Sequence, residues 1–224
     1  MIISAARRHR VVRQAASWCL GYPDEPLLDR LPLIADALAE QGSGAPTVAL
    51  QTFVDHATTT PLPAQQRHYV DVFDNNRRRS LYLSYWTDGD TRRRGETLTE
   101  FKQHYRASGQ LVDLHGELPD YLPLVLEYAA RVDPDDGEQL LRQYRPALEV
   151  LRLALADFGT PYEHVLTAVC VTLPGDSPKD LAEAKRLAAS GPPTESVGLE
   201  PYDPRLLPLQ PVIHAPTHAV GRPG

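Results

Sequence analysis

Apolar residues along most of this chain recur every three or four positions, which is the spacing of a buried helical face. Between residues 91 and 108, for example, the apolar stripe is Leu98, Phe101 and Tyr105, and Gly109 follows it. Alternating apolar and polar residues, the mark of strands, do not persist over several turn-bounded runs. The pattern therefore predicts an all-α fold.

Proline and glycine mark where the helices begin and end, because proline fits the first helical turn and glycine accepts a left-handed cap. Pro146, inside the longest periodic stretch, predicts a kink or break, and the string Thr-Pro-Tyr-Glu at 160–163 predicts a capping box. We expect a single-domain bundle of about eight or nine helices over residues 1–190. The predicted helices include Ala5 to Leu20, Pro26 to Glu40, one from Pro46, one from Pro61 or Pro63 to Phe73, 91–108, 133–159, 161–171, and a last one from Ser177 to Gly191.

The composition changes after Gly191. Eight prolines lie between residues 191 and 224, and few aliphatic residues there recur at helical spacing. Such a segment cannot bury enough apolar surface to offset the entropy lost on ordering it. We therefore expect residues 191–224 to form an extended, disordered, Pro-rich tail rather than a second domain.

The charge balance narrows the classes of partner. The chain carries 29 acidic and 23 basic residues, a formal net charge of -6. Nucleic-acid binders neutralise phosphates with an excess of basic side chains, so the balance disfavours nucleic acid and favours a basic peptide. The two cysteines, Cys19 and Cys170, offer neither a disulfide framework nor a metal knuckle, which fits a reducing cytoplasm.

The basic N-terminus does not have the pattern of an export signal. Arg7, Arg8, Arg10 and Arg13 precede an apolar run that ends at Leu20. A cleaved leader needs about seven to fifteen consecutive apolar residues, and a membrane span needs about 20. We expect an amphipathic first helix with a basic outer face, no direct membrane insertion and a cytoplasmic location.

Aromatic and charged residues are concentrated between positions 69 and 128, which include six of the ten tyrosines and two arginine triplets, 77–79 and 92–94. Aromatic side chains with polar tips lose little entropy on binding and suit a surface that holds another polypeptide. An amphipathic peptide helix with basic residues fits an aromatic groove that has carboxylates at its rim. The candidate peptide-binding residues are Tyr69, Phe73, Asp74, Tyr82, Tyr85, Trp86, Glu117, Asp120, Tyr121, Glu127 and Tyr128.

Other roles for these residues stay open at the level of the sequence. Each aromatic has core packing as its alternative role, and the first arginine triplet is interpreted as surface ion pairs with Asp71 and Asp74. Glu117 and Asp120 are expected beside a helix N-terminus at the groove rim, where Asp120→Asn should weaken peptide binding more than folding. There are two rival interpretations. One is a hydrolase that uses these two carboxylates with Glu127. The other is a nucleic-acid binder whose arginines and aromatics form a stacking platform.

Signatures of catalysis and of cofactor or metal binding are not found in the sequence. It contains no Gly-rich phosphate loop, His-Glu-x-x-His pair, Gly-x-Ser-x-Gly elbow or Cys-x-x-Cys knuckle. The eight histidines are scattered without ligand spacing. We therefore expect a protein that is not an enzyme, with no catalytic residues, no cofactor and no metal.

Four segments carry long and unusual motifs. They are Tyr-Val-Asp-Val-Phe-Asp at 69–74, Arg-Arg-Arg-Ser-Leu-Tyr-Leu-Ser-Tyr-Trp-Thr-Asp-Gly-Asp-Thr-Arg-Arg-Arg-Gly at 77–95, Phe-Lys-Gln-x-Tyr-Arg at 101–106 and Gly-Glu-Leu-Pro-Asp-Tyr-Leu-Pro-Leu-Val-Leu-Glu-Tyr-Ala-Ala at 116–130. Together they resemble the core of the respiratory nitrate reductase delta-subunit family, the NarJ-type molybdenum-cofactor assembly chaperones. The resemblance extends over residues 10–190 and excludes the tail.

This resemblance implies an all-helical cytoplasmic chaperone that binds the catalytic alpha subunit of a nitrate reductase, mainly at its N-terminal segment. It implies that the chaperone holds that subunit competent for insertion of the molybdenum cofactor and an iron-sulfur cluster before membrane assembly, with cofactor-delivery proteins as further partners. Chaperones for dimethyl-sulfoxide and trimethylamine-oxide reductases belong to the wider superfamily and give an alternative client class. That superfamily tends to carry Glu-Pro-x-Asp-His where this chain has Glu-Leu-Pro-Asp-Tyr at 117–121, so its histidine has no counterpart here.

Overall fold

Helices form the described part of the protein, which in this computed structural model comprises residues 4–89, 91–110, 114 and 116–190. Within those ranges there are eleven α-helices, two π-helical segments and one 3-10 turn. The same ranges contain no strand, and their extended pairing is a single bridge between Tyr82 and Tyr121. The all-α prediction is confirmed. The predicted tail at 191–224 lies outside the described residues.

The helix count exceeds eight or nine for two reasons. Two short helices, α5 (Leu83–Asp88) and α7 (Leu122–Glu127), lie in the aromatic block, residues 69–128, and the long predicted helix is divided at Pro146. The first π segment, Val70–Asp74, continues α4 (Leu62–Tyr69), and the second, Tyr128–Val132, continues α7; the 3-10 turn is Arg77–Arg79. No described helix is long and apolar enough to cross a bilayer. The α-helices are α1 (Ala5–Cys19), α2 (Glu25–Glu40), α3 (Ala45–Thr59), α4 (Leu62–Tyr69), α5 (Leu83–Asp88), α6 (Arg92–Ala107), α7 (Leu122–Glu127), α8 (Pro134–Gln143), α9 (Arg145–Phe158), α10 (Tyr162–Val171) and α11 (Leu181–Ser190).

Capping side chains begin several helices. Asp24 accepts a hydrogen bond from Leu27 N–H at 2.8 Å, and Asp133 accepts one from Asp136 N–H at 3.0 Å. These bonds satisfy N–H groups that have no partner inside the first helical turn. Polar residues just before an apolar stripe therefore fix where α2 and α8 start.

The capping box predicted at 160–163 is not formed. α10 begins at Tyr162 without a side-chain cap. The N–H of Thr160 instead donates to the carbonyl of Leu155 at 3.3 Å, where α9 ends in the left-handed conformation of Gly159, whose φ is 74°. The capping box requires the N–H of Thr160, and this N–H is already bonded to the end of α9.

α1 lies at the centre of the core and packs against α2, α3, α7, α10 and the second π segment. Its buried face includes the fully buried Val12 and Ala16, and removal of such apolar area from water is the main stabilising term in folding. Arg13 is also buried: it bonds Glu138 at 3.0 Å and Thr172 Oγ1 at 3.2 Å. The basic face of α1 is therefore not wholly on the outside, because one arginine joins the helix to α8 and α10.

Candidate functional site

A cleft of about 560 Å³ opens within the aromatic block. Five parts of the chain line it: the turn after α1, the end of α4 with the first π segment, the stretch from the 3-10 turn into α5, the first turn of α6, and the turn before α7. Its volume lies in the range of about 300–1,000 Å³ that is usual for ligand-binding pockets. Segments separated in sequence thus form one concave surface.

Three tyrosines and a phenylalanine make the floor of the cleft. Tyr69 is nearly buried; its hydroxyl donates to the carbonyl of Leu20 at 3.2 Å and lies 3.3 Å from the hydroxyl of Tyr121. The ring centroids of Phe73 and Tyr69 are 4.8 Å apart, and Tyr22 meets Tyr69 edge-on at 5.4 Å. Tilted and edge-on contacts are the favourable arrangements of aromatic pairs. The floor is therefore well packed, with hydroxyl groups at its tips.

The first π segment contributes directly to this surface. Phe73 and Asp74 both belong to it, and both line the cleft. A π-helical turn interrupts the regular ladder of an α-helix, and such turns occur frequently at functional sites. The local backbone irregularity and the cleft therefore coincide.

Tyr82 forms the facing wall. Its ring lies 5.4 Å from that of Tyr121, with which it also forms the backbone bridge, and its hydroxyl donates to Glu117 at 2.8 Å. The guanidinium carbon of Arg94 lies 5.8 Å from the Tyr82 ring centroid, within the range of a cation–π interaction. These contacts join α6 and the turn before α7 to the wall.

Asp120 supports this wall from behind. Its side chain is fully buried, and one carboxylate oxygen accepts hydrogen bonds from Ser84 N–H at 3.0 Å and from the Ser84 hydroxyl at 2.6 Å. Ser84 lies in the first turn of α5, which has no side-chain cap of its own, so Asp120 caps a helix that is distant in sequence. The expectation that Asp120 faces the groove rim is therefore wrong, because the buried N–H group at the start of α5 requires its carboxylate.

The cleft combines neutral hydroxyls with charges of both signs. Burial raises the pKa of Tyr69, Tyr82 and Tyr121, so their hydroxyls stay protonated at neutral pH and act as hydrogen-bonding groups. This arrangement suits a polypeptide that offers apolar, polar and charged groups together. The charged residues of the lining are Asp74, Arg77, Arg94 and Glu117.

Seven of the eleven predicted binding residues share the cleft, and Trp86, Asp120, Glu127 and Tyr128 lie outside its lining. The seven are Tyr69, Phe73, Asp74, Tyr82, Tyr85, Glu117 and Tyr121.

The four that lie elsewhere have structural contacts of their own. Trp86 is partly buried and donates through its indole nitrogen to the carbonyl of Ser80 at 3.0 Å. Tyr128 is 1% exposed, and its hydroxyl donates to Asp136 at 2.8 Å. Glu127 pairs with Arg131 at 2.9 Å on the surface. For Trp86 and Tyr128, core packing, the alternative role left open by the sequence, is what the structure shows.

Sequence reasoning missed several lining residues. Tyr22, 52% exposed, follows α1 and reaches the cleft from far outside the aromatic block, and no local signal joins it to that block.

The surface ion-pair interpretation of the first arginine triplet fails for Arg79. This side chain is buried, donates to the carbonyl of Val72 at 2.8 Å and places its guanidinium 4.0 Å from the centroid of the Phe158 ring. Arg77, by contrast, lines the cleft.

No group of three or more His, Cys, Asp or Glu side chains suited to a metal ion occurs among the described residues.

Residues 36–168 match the family described as nitrate reductase delta subunit. The chain belongs to this family. The resemblance found in the four sequence motifs is therefore confirmed. The matched range contains every predicted binding residue and, apart from Tyr22, the whole lining of the cleft.

Individual relatives are similar over about two thirds to three quarters of the chain. The nitrate reductase-like protein NarX of Mycobacterium tuberculosis H37Rv is 42% identical over 162 residues, which are 72% of this chain and 24% of NarX. The probable nitrate reductase molybdenum cofactor assembly chaperone NarJ of Bacillus subtilis is 30% identical over 73% of this chain and 89% of its own length. NarJ of Escherichia coli K12 is 32% identical over 64% of this chain and 61% of its own length.

This chain thus spans about a quarter of the length of NarX and most of the length of the Bacillus protein. The names of the NarJ relatives describe assembly chaperones rather than catalysts, in agreement with the prediction that this chain is not an enzyme.

Proposed function

We propose that this protein is an assembly chaperone for a respiratory nitrate reductase. It binds the N-terminal segment of the catalytic alpha subunit in the cleft, in the cytoplasm, and holds the subunit competent for insertion of the molybdenum cofactor and an iron-sulfur cluster before membrane assembly. The observation that carries this proposal is that seven of the eleven predicted aromatic and acidic residues share one cleft, where Tyr69 and Tyr121, 52 positions apart, touch. Family membership supports it.

The chemistry of the cleft supports a peptide ligand. Burial of one large apolar side chain contributes about 1.5–3 kcal/mol, and the floor around Tyr69 and Phe73 offers such a site. Asp74 and Glu117 are the groups in the cleft that attract basic side chains of a peptide, and Arg77 and Arg94 are those that attract acidic ones. An assembly chaperone must release its client, so we expect moderate affinity near the micromolar level, which corresponds to a binding free energy of about -8 kcal/mol.

Titration calorimetry tests the proposal with the N-terminal peptide of the alpha subunit and a scrambled peptide of the same composition. The authentic peptide is expected to bind with a negative heat-capacity change, because apolar surface is buried. Tyr85→Ala, in the cleft, should weaken binding about tenfold. Leu33→Ala, at a side chain 60% exposed on α2, is the matched control and should leave affinity unchanged. Absence of heat, together with absence of competition by the full alpha subunit, would refute the proposal.

The client class is tested in the same assay. N-terminal peptides of dimethyl-sulfoxide and trimethylamine-oxide reductases compete for the cleft if the chain serves either enzyme. The nitrate reductase peptide is expected to bind more tightly than both. A reversed order would assign the chaperone to the other client.

A further inference from the structure

A second cavity of about 250 Å³ lies between α3, α4 and α10. Phe53 and Ala57 line it from α3, Ala64 and His68 from α4, and Tyr162 from α10. None of the sequence motifs assigns a role to this cavity. Its position is informative because Tyr162 also packs against the floor of the cleft.

The cavity suits an uncharged, apolar group. The side-chain amide of Gln65 donates to the carbonyls of Ala57 and Thr60 at 2.9 and 2.7 Å, and the ring nitrogen of His68 is bonded to Thr160 Oγ1 at 2.7 Å. The donors along its wall are thus largely occupied. Burial lowers the pKa of His68, so its ring is neutral at neutral pH. Among the described residues, the lining contains no Asp, Glu, Lys or Arg side chain, so a charged ligand finds no permanently charged partner in it.

The size of the cavity indicates what kind of group it accepts. A cavity of about 150 Å³ in a protein core holds benzene, whereas sites for whole small-molecule ligands measure about 300–1,000 Å³. At about 250 Å³ this cavity lies between the two. One bulky aromatic or branched apolar side chain matches that volume better than a cofactor does.

Tyr162 connects this cavity to the cleft. Its ring centroid lies 5.0 Å from that of Phe53 in the cavity and 4.9 Å from that of Phe73 in the cleft. It also meets Tyr69, edge-on at 6.0 Å. One ring is therefore part of the cavity wall and part of the support beneath the floor of the cleft.

We propose that this cavity is a second anchor site, which takes one bulky apolar side chain of the client polypeptide. The proposal rests on the proposed chaperone function. A side chain inserted here restricts Tyr162, and Tyr162 in turn holds Phe73 and Tyr69 in place. Occupation of the cavity therefore favours binding in the cleft, because part of the ordering is already complete when the second anchor binds.

Ala64→Leu tests the inference because the added carbons fill the cavity from α4. Ala107→Leu, the same substitution at an exposed position at the end of α6, is the control. Calorimetry with the alpha-subunit peptide is expected to show at least tenfold weaker binding for Ala64→Leu and wild-type binding for Ala107→Leu. Indole, titrated into the full chain as a probe, should shift the NMR methyl signals of Ala57 and Ala64, and Ala64→Leu should abolish the shift at Ala57.

The outcomes separate this inference from the proposed function. If the peptide binds wild type and Ala64→Leu equally and indole shifts neither methyl signal, the second anchor is refuted while the cleft keeps its role. If indole binds but Ala64→Leu leaves peptide affinity unchanged, the cavity takes small apolar molecules and not the client. If the peptide does not bind wild type at all, the chaperone proposal fails, and the assignment of a client side chain to the cavity fails with it.

Discussion

Substitution of Asp120 by asparagine keeps the shape of the side chain and removes its charge. In the structure this carboxylate accepts two hydrogen bonds from Ser84, at 3.0 and 2.6 Å, and lies 3.9 Å from the guanidinium of Arg94. Asparagine retains one acceptor oxygen but adds an amide donor in a fully buried place. The first turn of α5 therefore loses a charge-assisted cap.

The expected magnitude follows from these contacts. A hydrogen bond to a charged group contributes about 1.5–3 kcal/mol and a neutral one about 0.5–1.5 kcal/mol, and loss of an N-terminal cap costs about 0.5–2 kcal/mol. We expect Asp120→Asn to lower the free energy of unfolding by about 1–3 kcal/mol. Peptide affinity should fall by less, because Asp120 acts on the cleft through the position of α5. This order reverses the expectation drawn from the sequence, in which binding is affected more than folding.

Urea denaturation followed by circular dichroism measures the change in unfolding free energy. Asp29→Asn, at an exposed carboxylate on α2, is the matched control and should stay within about 0.5 kcal/mol of wild type. Combined with Ser84→Ala, Asp120→Asn should show a coupling energy of about 1 kcal/mol, because both changes affect the hydrogen bond between the Ser84 hydroxyl and the Asp120 carboxylate. Strictly additive effects, or a stability equal to wild type, would refute the capping role.

Gly137 and Glu138, two neighbouring residues of α8, give two further predictions. A Cβ atom on Gly137 clashes with the backbone of Ala129, so Gly137→Ala should destabilise by about 1–3 kcal/mol. The control Gly95→Ala on α6, where the added Cβ meets nothing within 4 Å, should stabilise by about 0.5–1 kcal/mol, and equal thermal shifts would contradict this. Burial raises the pKa of Glu138, but hydrogen bonds from Arg13 and a second arginine outweigh it and hold the pKa below 4.5. The stabilisation is therefore complete above pH 4.5 and lost as the pH falls through the folded-state pKa, and Glu138→Gln should unfold with a weaker acid dependence than wild type in urea titrations at several pH values.

Helical periodicity and proline positions were sufficient to predict the fold class and most helix limits. Pro146 illustrates why: its ring and missing N–H act on the local backbone whatever the tertiary structure is, and the chain is divided into α8 and α9 there. The short α5 escaped prediction because a six-residue helix has little periodicity to detect. Helix limits that are set by the local backbone can thus be predicted from the sequence.

The residues of the cleft were predictable as a group and less so one by one. Composition placed the binding surface in the aromatic block, and the tyrosines at 69, 82, 85 and 121 meet there. Sequence could not show that Tyr128 is directed into the core toward Asp136, or that Tyr22 closes the cleft from the turn after α1. Those placements depend on which helices pack together, and the same tyrosine side chain suits either environment.

The wall of the cleft depends on tertiary contacts more than on its own helix. An isolated helix shorter than about 12 residues is marginal in water, and α5 has six. It is held by the carboxylate of Asp120, by the backbone bridge at Tyr82 and by packing against α6 and α9. On the proposed function, a peptide that contacts Tyr82 and Tyr85 adds to these tertiary contacts, so binding of the client and ordering of α5 stabilise each other.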